Sequence, residues 1–167
     1  FFTIFLIIGL QTPNTYQSNA LISIKDSDDS AGMSSMMSQY GGLASLAGIS
    51  LPSGSKDKLN KAIAVLNSKN FFNHINDKYE LDIDIFAMKS FDVIKNKPTY
   101  KKNIYDKSQK KWVRNVKPPM KSKPSDLELH KYFLKNIFSV SKNPETDFIS
   151  ISVVHPSPEF SKKLLEI

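Results

Sequence analysis

The chain has 167 residues, with a hydrophobic fraction of 40% and a charged fraction of 23%, a composition typical of one globular domain and not of a disordered chain. It has no cysteine, which excludes disulfide frameworks, thiolate metal sites and cysteine nucleophiles. The formal net charge of +7 is local: residues 89–123 carry twelve Lys/Arg and two acids, a net charge of +10, whereas the rest of the chain carries −3. This basic segment is either a docking surface or a solvated lysine-rich loop.

Residues 1–10 form an almost wholly apolar run. A helix that spans a bilayer needs about 20 such residues, so the run fits the end of a transmembrane helix, the apolar part of a signal peptide or a buried strand. The polar residues 11–15 provide no small-x-small cleavage site, which favours the transmembrane helix. We therefore expect residues 1–10 to end a transmembrane helix and residues 11–167 to form the domain that follows it.

The first part of this domain combines a strand, loops and short helices. Residues 16–24 alternate as in a strand with one buried face. Residues 26–30 predict a polar loop that lacks the calcium-loop pattern, and the Gly/Ser/Ala/Met-rich residues 31–54 fit a short element at a subunit contact as well as a mobile loop. Two apolar stripes at helical spacing follow. The first, after a cap at Ser55, is Leu59, Ala62, Ile63 and Leu66, and the second is Phe71, Phe72, Ile75 and Tyr79.

Two features in the middle of the chain have residue types that can form chemical sites. Asp82 and Asp84 are two residues apart, which places them on one face of a strand but in different directions on a helix; we expect surface carboxylates and not an acid/base pair. In the basic segment, aromatic residues interleave with lysines, as in binders of single-stranded nucleic acid. No RNA- or DNA-binding motif accompanies them, so we expect no nucleic acid. Residues 111–116 alternate like a short strand.

The last third of the chain has the clearest local signals. Ser125 and Glu128 form a predicted capping box, followed by the helical stripe Leu129, Tyr132, Phe133 and Ile137. Residues 138–140 predict a strand, residues 143–146 a turn and residues 148–154 a β-branched strand. Ser157 and Pro158 then start another helix. The order strand, helices, strand, strand, helix predicts an α/β (α+β) fold, with a small mixed sheet packed on one side by helices.

The sequence gives no local indication of catalysis. His74, His130 and His155 do not have metal-ligand spacing, and the chain has no G-x-S-x-G elbow. We expect no catalytic residues, no metal site, no cofactor and no enzyme activity.

Several segments together resemble one family, the bacterial chain-length determinants, or polysaccharide co-polymerases. The apolar run leading into residues 15–22 resembles the start of their periplasmic domain, and residues 41–48 are similar to a glycine/alanine stretch that many members carry. Residues 64–71 resemble a helix-end pattern, and residues 147–159 resemble a strand that enters a Pro-x-x-Ala-type helix. Ser161 stands where the family usually has Ala, and Leu164 stands where an aromatic residue is common.

The resemblance implies a non-enzymatic protein of the bacterial inner membrane, with its main domain in the periplasm. Members form homo-oligomeric rings and modulate the polymerase that extends O-antigen, capsule or exopolysaccharide, so the implied partners are the polymerase, the nascent glycan and the membrane. The family's long helical arm and second transmembrane helix would lie beyond Ile167. The basic segment would face phosphate head groups, an anionic glycan or a neighbouring subunit. Its predicted contact residues are Lys101, Lys102, Lys110, Lys111, Trp112, Arg114 and Lys117.

Two other functions compete with this interpretation. A soluble periplasmic binding or adaptor domain with an anionic-ligand surface would have a cleaved apolar start and be a monomer. A binder of anionic polymers or nucleic acid would lose affinity steeply with added salt.

Overall fold

A computed structural model of the protein describes residues 14–23, 55–146 and 148–167. The predicted transmembrane end at residues 1–10, the acidic loop at residues 26–30 and the glycine/alanine stretch at residues 41–48 lie outside the described residues. Among the helices in the described ranges, none has both the length and the apolar character needed to cross a bilayer.

The described residues form seven strands and five helices. The strands are β1 (Tyr16–Ile22), β2 (Met88–Asp92), β3 (Lys97–Tyr100), β4 (Tyr105–Asp106), β5 (Lys111–Trp112), β6 (Phe138–Lys142) and β7 (Ile149–His155). The helices are α1 (Ser55–Leu66), α2 (Lys69–Tyr79), α3 (Asp82–Ala87), α4 (Asp126–Asn136) and α5 (Pro158–Leu165).

The centre of the fold is a three-stranded antiparallel sheet in the order β1-β7-β6. β1 pairs with β7 along its whole length, from Tyr16 opposite His155 to Ile22 opposite Ile149. Burial alternates along β7, where every second residue from Ile149 onward is buried. One face of the sheet is therefore packed on the core, and the opposite face, which carries mostly Ser, Asn and Gln, points outward.

The helices bury their apolar stripes against the inner face of this sheet. α4 contacts α2, α3 and β6, and α5 packs on β1 and β7. Phe133 of α4 is fully buried, with its ring centroid 5.1 Å from that of Phe72 and 5.0 Å from that of Phe138. Leu129 and Ile75, which the helical stripes also predict to be core residues, are 1% and 2% exposed. The predicted stripes are thus confirmed as core-facing.

Local caps determine where several helices begin. The Ser68 side chain accepts a hydrogen bond from the N–H of Phe71 at 3.1 Å and starts α2. The predicted capping box of Ser125 and Glu128 is present at the start of α4. Ser157 caps α5, with Pro158 in its first turn, where the missing N–H of proline needs no partner.

Two small β-hairpins extend the fold within the basic segment. β2 pairs with β3, and β4 pairs with β5, both antiparallel. Asn96 and Lys110, at the ends of the two turns, have φ values of 50°, the left-handed region that tight hairpin turns use.

Two sequence expectations need correction, and one open choice is decided by the structure. The predicted mixed sheet is wrong, because both pairings of the three-stranded sheet are antiparallel; β6 and β7 are joined by the short turn at residues 143–146, and such a turn allows only antiparallel pairing. The strand predicted at residues 111–116 is limited to β5, although its side chains alternate between exposed and half-buried to residue 116. Residues 81–86, left open between strand and helix, become α3 because Leu81 and Ile85 are four apart and both buried.

Candidate functional site

The basic segment is a folded part of the domain. The side chain of Tyr100, at the end of β3, donates a hydrogen bond to Asp84 Oδ1 of α3 at 3.0 Å. Burial, and then the adjacent carboxylate of Asp84, raise the pKa of Tyr100 well above its usual range. Lys123 forms an ion pair with Asp82 at 3.2 Å. The two carboxylates considered as an acid/base pair therefore have separate partners, and each attaches α3 to a different part of the segment.

Arg114 is used for internal contacts. Its side chain is only 10% exposed, and its Nη1 lies 2.9 Å from Glu128 Oε1. Its Nε and Nη2 donate to the backbone carbonyls of Ser122 and Lys121, and its guanidinium lies 5.1 Å from the centroid of the Phe86 ring. This arrangement fastens the segment that follows β5 to the start of α4.

The carboxylate of Glu128 contacts both Arg114 and Ser125, and so connects the Arg114 contacts to the capping box. One carboxylate oxygen, Oε1, accepts from Arg114, and the other, Oε2, accepts from the backbone N–H and hydroxyl of Ser125. Hydrogen bonding by Arg114, followed by that of the Ser125 N–H, lowers the pKa of Glu128. The carboxylate therefore remains ionised at neutral pH and holds the arginine.

Lys101 also makes contacts within the domain. Its Nζ lies 3.4 Å from the Tyr132 hydroxyl and 5.6 Å from the centroid of that ring, and its backbone N–H donates to the carbonyl of Ala87 at 2.8 Å. It connects the basic segment to α3 and α4, and only part of its side chain is accessible.

Five aromatic rings of the basic segment, α3 and α4 form a continuous row of contacts. Tyr100 contacts Tyr105 at 5.7 Å between centroids, Tyr105 contacts Trp112 at 5.4 Å, and Trp112 contacts Phe86 at 6.4 Å. Phe86 in turn contacts Tyr132 of α4 at 4.9 Å. The predicted contact residue Trp112 is half-buried in this row, so its ring helps to pack the segment onto the domain.

The remaining predicted contact residues are solvent-exposed. Lys102, Lys110, Lys111 and Lys117 are exposed, as are four further lysines of the segment. Among the residues that the structure describes, none of these eight lysines forms an ion pair. The four further lysines are Lys89, Lys97, Lys107 and Lys121. The structure thus divides the predicted set into three anchoring side chains, Lys101, Trp112 and Arg114, and four side chains available to a ligand.

His155 and His130 both form hydrogen bonds within the fold. His155 is 1% exposed; its Nε2–H donates to the carbonyl of Asp84 at 3.0 Å, and its Nδ1 accepts from the N–H of Ser157 at 3.1 Å. Burial lowers the pKa of His155, partly opposed by these hydrogen bonds. His130 donates from Nε2 to the carbonyl of Asn67 at 3.0 Å. No cluster of His, Asp and Glu in the described ranges could hold a metal ion.

One exposed feature of the segment was missed by sequence reasoning. Val93 and Ile94, in the turn between β2 and β3, are 52% and 97% exposed. The signal in the sequence was an apolar pair flanked by Asp92, Lys95 and Asn96, a polar setting typical of a turn and not of a core strand.

Comparisons of the chain with protein-family models, curated proteins and solved structures find no match.

Proposed function

We propose that this chain is the periplasmic, membrane-proximal domain of a chain-length determinant, and that it regulates the length of a surface polysaccharide without being an enzyme. The observation that carries the proposal is the order of the motifs. An apolar run precedes an edge strand, a helix ends at Asn67 and Ser68 shortly before Phe71, and a β-branched strand enters a helix at Ser157.

The packing of these segments supports the proposal. β1, the strand that follows the apolar run, lies beside β7, and α5 packs on both. The Ser161 hydroxyl lies 3.1 Å from the carbonyl of Tyr16 and 3.2 Å from that of Ser157, so two of the segments that carry the resemblance, β1 and the β7–α5 connection, are in contact. The polar side chain of Ser161 at a position where the family usually has Ala thus has hydrogen-bond partners.

The proposed role is organisational. Copies of the protein would assemble as a homo-oligomer in the bacterial inner membrane, with this domain in the periplasm beside the polymerase and the nascent glycan. Within such an assembly, the four exposed lysines of the predicted set, Lys102, Lys110, Lys111 and Lys117, are available to an anionic glycan, head groups or a neighbouring subunit.

The first experiment compares the length profile of the surface polysaccharide in the host strain with and without the gene. We expect a modal distribution that collapses to short or random lengths on deletion and returns on complementation. An unchanged profile, in a strain shown to make polymer by this route, would contradict the proposal. Oligomeric state, measured by light scattering on the full-length protein in detergent, is expected to exceed a monomer.

The exposed lysines favour a second candidate, a periplasmic binding or adaptor domain for an anionic ligand. Eight lysines without an ion pair to the described residues leave a concentrated positive charge on one segment. This candidate predicts a monomer with a cleaved apolar start, and it predicts binding to an acidic polysaccharide that weakens with added salt.

A further inference from the structure

The turn between β2 and β3 presents two adjacent apolar side chains to solvent. Ile94 is 97% exposed and Val93 is 52% exposed. Single exposed apolar residues are ordinary on protein surfaces, but here two neighbours occupy the end of a hairpin. Since the Ile94 side chain contacts almost nothing in the fold, nearly all of it is available to an apolar environment outside the protein.

The conformation of this turn is held by its own hydrogen bonds. Asp92 Oδ1 accepts from the N–H of Ile94 at 3.1 Å and from the N–H of Lys95 at 3.0 Å. Asn96 then adopts a φ of 50°, which asparagine tolerates better than most residues. The turn is preorganised, so little conformational entropy would be lost when it binds a partner.

Two exposed lysines lie beside the apolar pair. Lys95 is 74% exposed, with Asp92 at 3.8 Å, and Lys97 is exposed at the start of β3, whereas the exposed Lys89 lies nearer the base of the hairpin. An anionic glycan or a nucleic acid would complement these lysines but offers no apolar phase for Ile94. A bilayer with anionic lipids offers both, with head-group phosphates for the lysines and an acyl boundary for the apolar side chains. We propose that the β2–β3 turn is a membrane-contact element that inserts Val93 and Ile94 into an anionic lipid surface.

The base of the hairpin lies near the start of β1, the strand that follows the apolar run, and this step rests on the proposed function. Tyr16, the first residue of β1, pairs with His155, whose ring donates to the carbonyl of Asp84, and Asp84 also accepts from Tyr100 at the base of the hairpin. β1 therefore begins at the corner from which the hairpin starts. The six residue steps from Leu10 to Tyr16 can extend to about 20 Å, and the five-residue strand β2 has a comparable length of about 17 Å.

The absence of cysteine from the chain allows a test in which the depth of one side chain is measured. Ile94→Cys, labelled with an environment-sensitive fluorophore, reports on the turn in the full chain. Leu21→Cys is the matched control, because Leu21 is 65% exposed but lies on β1. Each labelled protein is mixed with vesicles of phosphatidylcholine alone or of phosphatidylcholine with phosphatidylglycerol.

We expect the probe at position 94 to shift to the blue, and to be quenched by lipid-attached quenchers, with the anionic vesicles and not with the neutral ones. Charge reversal of Lys95 and Lys97 to Glu should lower the vesicle affinity measured by this signal by at least about thirtyfold, because each of the two lysines contributes about a fivefold gain in affinity at an anionic surface and the introduced glutamates are repelled by it. The probe at position 21 should remain in water in both kinds of vesicle.

Three results would overturn the membrane contact. These are a probe at position 94 that stays in water on bound vesicles, equal shifts at positions 94 and 21, and a shift produced by a soluble acidic polysaccharide without lipid. If the probe at position 94 stays in water but the gene still controls polymer length, the membrane contact is contradicted and the proposed function is not. Lipid insertion of the probe at position 94, together with an unchanged polymer profile on deletion of the gene, would support the membrane contact and contradict the proposed function.

Discussion

Because Arg114 fastens the basic segment to α4, we expect its replacement by alanine to lower the free energy of unfolding. In Arg114→Ala, the charge-assisted hydrogen bond to Glu128 is lost, which contributes about 1.5–3 kcal/mol, together with the cation–π contact to Phe86, about 0.5–1 kcal/mol. The carbonyls of Lys121 and Ser122 are on exposed residues and can be hydrated instead. We therefore expect the free energy of unfolding to fall by about 2–4 kcal/mol, since these two contributions dominate.

Two further variants separate charge from geometry. Arg114→Lys keeps the positive charge but loses the planar fork that reaches the carboxylate and two carbonyls together, and we expect a loss of about 1–2 kcal/mol. Lys117→Ala removes an exposed lysine three residues away and should change stability by less than about 0.5 kcal/mol. A double-mutant cycle with Glu128→Gln isolates the Arg114–Glu128 pair, with an expected coupling of about 1–2 kcal/mol.

Urea unfolding followed by two probes is the assay. Trp112 is the only tryptophan of the chain, and it contacts Phe86, the ring that Arg114 covers, so its fluorescence reports on the basic segment. Far-ultraviolet circular dichroism reports on the helices. We expect both transitions to move together in Arg114→Ala. A stability unchanged within 0.5 kcal/mol, a conventional limit for surface substitutions, would refute the fastening role, as would an equal loss in Lys117→Ala.

Three further predictions concern the core and the β7–α5 corner. Phe133→Ala should lower the free energy of unfolding by about 3–5 kcal/mol in urea titrations, because a fully buried ring is removed from between two others. Because burial lowers the pKa of His155, the unfolded chain takes up this proton first; stability is therefore complete above about pH 6.5 and declines as the pH falls below it. Ser161→Ala should lower stability by about 1 kcal/mol, and Ser161→Val by more, since this site at the contact of α5 with β1 is 0% exposed.

Each of these three predictions has a control and a contrary outcome. For Phe133, the control is Leu127→Ala on the exposed side of the same helix, where Leu127 is 50% exposed; equal losses would contradict the core assignment. For His155, NMR titration of the imidazole signals should give a midpoint below 6.5, and a midpoint at or above this value would contradict the burial argument. For Ser161, a valine variant as stable as the alanine variant would show that the contact has spare volume.

Sequence reasoning succeeded where the determining interactions are local. The capping box, the Ser157 cap and the turn at residues 143–146 each depend on groups two or three residues apart. In that turn, Asn143 Oδ1 accepts from the N–H groups of Glu145 and Thr146. Such patterns can be read from the chain without knowing what packs on them. The one-sided sheet was predictable for a similar reason, since alternation along a strand defines its two faces.

The candidate site was less predictable because its contacts join distant parts of the chain. Arg114 and Lys117 look alike in sequence, yet only Arg114 reaches Glu128, fourteen residues away in the capping box. The second hairpin turn has no local sequence signal, because the residue in its left-handed region is Lys110 and not the glycine or asparagine that usually marks such a turn. The choice between strand and helix for α3 also depended on the tertiary burial of Ile85.

The pairing of β1 with β7 has a consequence for biosynthesis. Ile22 ends β1 and its partner Ile149 begins β7, so the first strand of the sheet is made long before its partner exists. At about 5–20 residues per second, the interval between their syntheses is roughly 6 to 25 s. The helices and hairpins of residues 55–136 contact one another mainly over short sequence separations and can form during this delay. β1 cannot pair until β7 has been made, and until then its backbone N–H and C=O groups are open to pairing with another chain.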